Sequence, residues 1–142
     1  MKYFNYEEFD SPDIQGSGQL MDKKLLKMLD KARETHGKPI HITSGYRTEA
    51  HNRNVGGVSG SSHLKGLAVD IACIASSDRY KLLSALMQVG FNRIGVAKTF
   101  IHVDIDKDKS DNVVLDYTFE TKGVHTKSDI GSFSPMEEEL KY

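Results

Sequence analysis

The chain has a single cysteine, Cys73, among 142 residues. That count excludes an intrachain disulfide and a cysteine-rich zinc module. Cys73 sits in an apolar run and reads as a small buried core residue. Net charge is nearly absent as well, at −1. With no excess of either sign, there is no electrostatic footprint for nucleic acid or for an anionic membrane. No uncharged run is long enough to span a bilayer. The apolar core of a secretory leader is also missing. Met1-Lys2-Tyr3-Phe4 is followed at once by Glu7, Glu8 and Asp10. No signal peptide is therefore expected, and synthesis is expected in the cytoplasm. Internal repeats and low-complexity tracts are absent too.

What is present suits one soluble domain. Hydrophobic residues make up 38% and charged residues 27%, the usual balance of a globular chain, and the length suffices for a real core. Residues 1–19 read as an irregular lead-in whose Tyr3, Phe4, Tyr6 and Phe9 pack on the domain. Residues 20–36 form the clearest helix: Leu25, Met28, Leu29 and Ala32 make one apolar stripe, Asp22 stands at its start, and Gly37 with Pro39 stops it. Pro39 to Thr43 reads as a short strand. Thr48 caps a short helix through Asn54, ended by Gly56-Gly57. Leu67 to Ile74 reads as a strand, and Ser76 or Ser77 caps a helix to about Val89. Arg93 to Val96 and Phe100 to Ile105 read as strands joined by a turn at Ala97-Lys98-Thr99. Asp106 to Asp111 is a charged loop. Val113 to Leu115 reads as a further strand and hairpin partner. From residue 118 the composition shifts to Gly, Ser, Thr and Lys, with an acidic helix expected from Met136 to Leu140. The domain is thus expected over 1–117, with 118–142 an appended segment.

Two stretches carry chemistry. The first is Ser61-Ser62-His63-Leu64-Lys65-Gly66-Leu67-Ala68-Val69-Asp70. The second is Phe100-Ile101-His102-Val103-Asp104. Strand parity separates core from site in both. Val69, Ile71 and Cys73 share one face, and Asp70 stands between Ala68 and Ala72 on the other. Ile101, Val103 and Ile105 alternate with His102 and Asp104. A carboxylate such as Asp70 in this setting needs a partner. His63, Asp70 and His102 form a His-Asp-His set of the kind that holds a catalytic zinc ion with a fourth position open, where a metal lowers the pKa of water toward ~7. Equally, a histidine on a sheet is often an ordinary satisfied side chain, and the same three residues fit a scaffold without metal. Ser61 can shape the turn that presents His63 or touch a substrate. His51 reads as helix surface, and His36, His41 and His125 are unassigned.

Ser61-x-His63-x-x-Gly66-x-Ala68-x-Asp70 resembles the signature of the zinc D-Ala-D-Ala carboxypeptidase family. Ser44-Gly45-Tyr46-Arg47 with Asn52 resembles that family's upstream block, and His102-Val103-Asp104 its closing block. The three occur in the family's order over roughly residues 20 to 117. The resemblance implies an α+β hedgehog/DD-peptidase fold, with packed helices and an antiparallel sheet carrying a zinc site. It implies His63, Asp70 and His102 as zinc ligands and Arg47 as the group that binds a substrate carboxylate or carbonyl, a task suited to a planar guanidinium fork. Related peptidases carry a Glu or Asp three residues before the last His ligand. Here that position is Thr99. Asp104 is the substitute, either as general base and proton shuttle or as a hydrogen-bond acceptor that orients a ligand histidine.

The expectation is a monomeric zinc metallopeptidase that hydrolyses peptidoglycan stem peptides at a D-Ala-containing bond, as carboxypeptidase or endopeptidase, with neither nucleic acid nor membrane as partner. Arg47 and Asp104 would serve catalysis, and Arg47 and Ser61 substrate binding. Small size and the missing leader would suit a phage endolysin acting on the cell wall. The alternative, kept open by Thr99, is a non-catalytic zinc-binding module of the same fold.

Overall fold

Helix α1 spans Lys23–His36 and starts where its sequence says it should: the Asp22 carboxylate accepts the Leu25 amide at 3.0 Å. It ends on Gly37 in the left-handed conformation. Its apolar stripe, Leu25, Leu26, Leu29 and Ala32, is fully buried. Each such leucine contributes about 1.5–3 kcal/mol by leaving water. The computed structural model describes residues 1–118, and the acidic helix expected at Met136 to Leu140, with His125, lies outside them.

Five strands form one mixed sheet: β1 (Ile42–Ser44), β2 (Ala68–Ala72), β3 (Arg93–Val96), β4 (Phe100–Asp104) and β5 (Val113–Asp116). The spatial order is β1-β2-β4-β3-β5. β1, β2, β4 and β3 pair antiparallel. β5 departs from the expected hairpin and lies parallel to β3, Arg93 opposite Val113 and Val96 opposite Asp116. The charged connection is long enough to carry the chain to the far side of β3, where a tight hairpin cannot reach. β1 also starts later than expected, at Ile42, and the acceptor in the preceding segment is the His41 carbonyl, which takes the Ala72 amide.

Helices α1 and α3 (Ser76–Gln88) cover one face of the sheet. Leu82 and Leu86 join the α1 leucines against Val69, Ile71, Ile94, Ile101 and Val103 in one core cluster. Val69, Ile71, Ile101 and Val103 are on the parity read as apolar. Phe4 and Phe9 of the lead-in enter the same core. Cys73 is buried there too. At α3 the N-cap is Ala75, without a side-chain cap, and Ser76 is already helical. No helix among the described residues is long and apolar enough to cross a membrane.

The opposite face receives the polar residues. Helix α2 (Glu49–Asn54) is capped by Thr48, whose hydroxyl accepts the His51 amide at 3.1 Å. A 3-10 turn at Ser62–Lys65 leads into β2 through Gly66, at φ 71°. The Gly66 carbonyl accepts the Asp22 amide at 2.9 Å, and a Cβ at Gly66 would meet the Leu20 carbonyl oxygen at 2.4 Å. Strain and collision therefore coincide at this glycine. Gly66→Ala is expected to lower unfolding free energy by about 2–3 kcal/mol, read as a shift of the urea midpoint with an unchanged slope.

Candidate metal centre

Sheet register places two of the three candidate ligands. Asp70 of β2 lies directly opposite His102 of β4. Both stand on the face away from the helices, so their side chains meet: His102 Nδ1 is 2.8 Å from Asp70 Oδ1. His63 arrives from the 3-10 turn, its backbone pinned at both ends of that turn. Its amide donates to the Ser61 hydroxyl at 3.3 Å, and its carbonyl accepts the Arg47 amide at 3.1 Å. The ring then sets Nε2 at 3.3 Å from the same Asp70 Oδ1. The two imidazoles lie 5.4 Å apart between centroids. One donor atom from each of the three residues falls within 4.8 Å of the other two.

The far nitrogens are occupied in the way that metal-ligating imidazoles require. His63 Nδ1 donates to the Gly45 carbonyl at 2.7 Å. His102 Nε2 donates to Asp104 Oδ2 at 2.7 Å. Each ring thus turns its other nitrogen toward Asp70. All three residues are buried, His63 at 0%, His102 at 1% and Asp70 at 4% exposure. Burial draws His63 below its usual pKa against the pull of Asp70. For His102 burial acts the same way but is outweighed by hydrogen bonds to Asp104 and Asp70, which raise its pKa. Burial pushes Asp70 up, yet His63 and His102 outweigh it and hold the carboxyl well below the usual range. Two nitrogens and one ionised oxygen therefore converge on a point that favours positive charge. The donor set, two imidazoles and a carboxylate, suits zinc.

Arg47 stands beside this group and not at the surface. Its guanidinium donates to Asp70 Oδ2 at 3.3 Å, to Ser44 Oγ at 3.0 Å and to Asn52 Oδ1 at 3.2 Å. Asn52 in turn donates to the Val58 carbonyl at 2.9 Å. Ser61 is buried beneath the turn. Asp104 lies opposite Ala68, whose small side chain leaves it room. Both Asp104 oxygens are engaged, Oδ2 by His102, Oδ1 by Arg93 Nε at 2.8 Å and the Asp106 amide at 3.1 Å. Thr99 is exposed in the β3–β4 turn, and His36, His41 and His51 lie outside the cluster.

Four residues at the site, Arg93, Gly95, Tyr117 and Asp106, carried no site role from sequence. Arg93 shares the parity of Gly95 on β3, a signal the alternation with Ile94 and Val96 already held. Gly95 lies opposite His102, and a Cβ there would meet Tyr117 Cε2 at 2.2 Å. Only glycine lets the Tyr117 ring settle on the sheet, edge-on to His102 with centroids 5.8 Å apart. Asp106, read as part of a charged loop, is buried. It accepts from Ser62 Oγ at 2.7 Å and from Lys65 Nζ at 3.0 Å, clasping the His63 turn to the end of β4.

Residues 2–104 match the family model for Peptidase M15. The match covers more than half of the chain, and the chain belongs to this family of zinc D-Ala-D-Ala carboxypeptidases. It is accordingly a zinc-metallopeptidase domain by family, and the matched span contains His63, Asp70, His102 and Arg47. No curated protein matches the chain.

The Asp106 clasp carries a pH signature. Burial raises the Asp106 pKa, but Ser62 and Lys65 outweigh it and lower it overall. A depressed carboxyl stabilises above its unfolded pKa of about 3.9, and that contribution is lost as pH falls through the lower folded value. Asp106→Asn should therefore cost about 1–3 kcal/mol near neutrality, and the gap from wild type should narrow below about pH 4, measured by urea unfolding at pH 7 and pH 3.

Proposed function

We propose that this chain hydrolyses peptidoglycan stem peptides at a bond adjacent to D-Ala, with His63, Asp70 and His102 holding a zinc ion. The observation that carries the reading is the convergence of His63, His102 and Asp70 Oδ1, each imidazole backed on its far nitrogen by an acceptor. A zinc ion held there would polarise the scissile carbonyl and lower the pKa of the attacking water. The chain's own residues supply the rest. Arg47 steadies Asp70 while held by Ser44 and Asn52, and in this reading its guanidinium also receives a substrate carboxylate. Ser61, buried with its hydroxyl on the His63 amide, shapes the turn. Asp104, engaged at both oxygens, orients His102, and this geometry favours that role over proton shuttling. The cell wall is the place of action in this reading.

A second reading, a zinc-binding module without turnover, is favoured by one observation: Thr99 occupies the position where related peptidases place an acid. Incubation with purified peptidoglycan, with and without a chelator, separates the two. Zinc-dependent appearance of free D-Ala is expected from a carboxypeptidase, and new amino groups without D-Ala from an endopeptidase. Stoichiometric zinc with neither product would establish the second reading. Purified chain without retained zinc would overturn both. Arg47→Lys should keep the metal but weaken substrate use about 10–100-fold in kcat/KM, since the ammonium cannot make the paired contact.

A further inference from the structure

We infer that Arg93 is a positioning residue for the metal centre, acting through Asp104 on His102. The inference rests on the reading of His102 as a metal ligand. Its basis is an unbroken polar path. Ser110 offers its carbonyl to Arg93 Nη1 at 2.6 Å. Arg93 Nε donates to Asp104 Oδ1 at 2.8 Å, Asp104 Oδ2 accepts from His102 Nε2 at 2.7 Å, and His102 Nδ1 faces Asp70 at 2.8 Å. From Arg93 inward every group on the path is buried, Arg93 at 3% and Asp104 at 1% exposure.

Stability does not explain this pair. Taking a guanidinium and a carboxylate out of water costs roughly what their attraction returns, and apolar replacements are often neutral or better. What the pair does supply is direction. The carboxylate can turn about its Cβ–Cγ bond, and one acceptor facing one imidazole does not fix the plane. Arg93 and the Asp106 amide hold Oδ1, which leaves Oδ2 aimed at Nε2. With Nε2 committed as donor, Nδ1 is the nitrogen left to ligate. Arg93 itself is aimed by parity: it projects from β3 on the same face as Gly95, and its second contact ties the charged loop to the same point. The loop after β4 thus bears on the orientation of a ligand it does not touch.

Zinc affinity is the readout, measured on the full chain by competition with a chromophoric chelator, alongside the visible absorption spectrum of the cobalt-substituted protein. Arg93→Met is expected to weaken zinc about 10–100-fold and to alter the cobalt spectrum. Arg93→Lys, which keeps charge but loses the fork, should recover part of the loss. Asp104→Asn should weaken zinc similarly, and the Arg93→Met/Asp104→Asn double variant should be no weaker than the worse single, because both act through one contact. Leu86→Ala, in the core on the other face, should lower the melting temperature while leaving zinc affinity within about 2-fold. If Arg93→Met binds zinc within about 2-fold of wild type, or if the two substitutions add, the inference is overturned. Should Arg93→Met fail to fold, the same cycle with Arg93→Gln, which also removes the charge and the fork, decides by the same criterion. Wild type that retains no zinc would remove the metal reading itself. Tight wild-type binding with an indifferent Arg93 removes only the role assigned to Arg93.

Discussion

One buried carboxylate organises this molecule. Asp70 sits in the middle strand pairings of the sheet, and an ionised group there cannot stay without compensation. His63, His102 and Arg47 supply it from three separate parts of the chain. Their own remaining polar atoms then need partners, and the requirement spreads outward. Gly45 takes His63, Asp104 takes His102, and Asn52 with Ser44 takes Arg47. Arg93 and Asp106 follow from Asp104. The polar face is the result of satisfying one charge through successive layers, while the helix-covered face is ordinary apolar packing.

That division explains what the sequence disclosed. Period-two alternation in β2 and β4 separated Asp70, His102 and Asp104 from Val69, Ile71, Ile101 and Val103, because side-chain direction in a strand is a local property. Helix α1 was equally plain, since its stripe, its Asp22 cap and its Gly37 stop are all local. His63 was grouped with Asp70 and His102 on ligand chemistry alone, with a scaffold without metal left open, and family resemblance then favoured the set, as no spacing rule links a turn to a strand pair. The family match upholds that resemblance.

The misreadings share a cause. β5 was taken for a hairpin partner, but whether a strand joins antiparallel at one edge or parallel at another depends on neighbours far away in sequence. Tyr117 went unassigned for the same reason: its place beside His102 exists only because β5 lies along β3 and Gly95 leaves a gap. Asp106 looked like one of several loop acids, and nothing local distinguishes it from the exposed Asp108 two residues on. The expected serine cap of α3 failed because the chain enters that helix one residue sooner.

The sheet order has a consequence for how the protein comes into being. β4 lies between β2 and β3, although β3 precedes it in the chain. Until residues 100–104 arrive, one long side of β2 has no strand to bond with, and such an open side invites pairing with other chains. The strand that closes it is the one that brings His102. Covering that side of β2 and completing the His63, Asp70 and His102 cluster therefore fall to the same five residues.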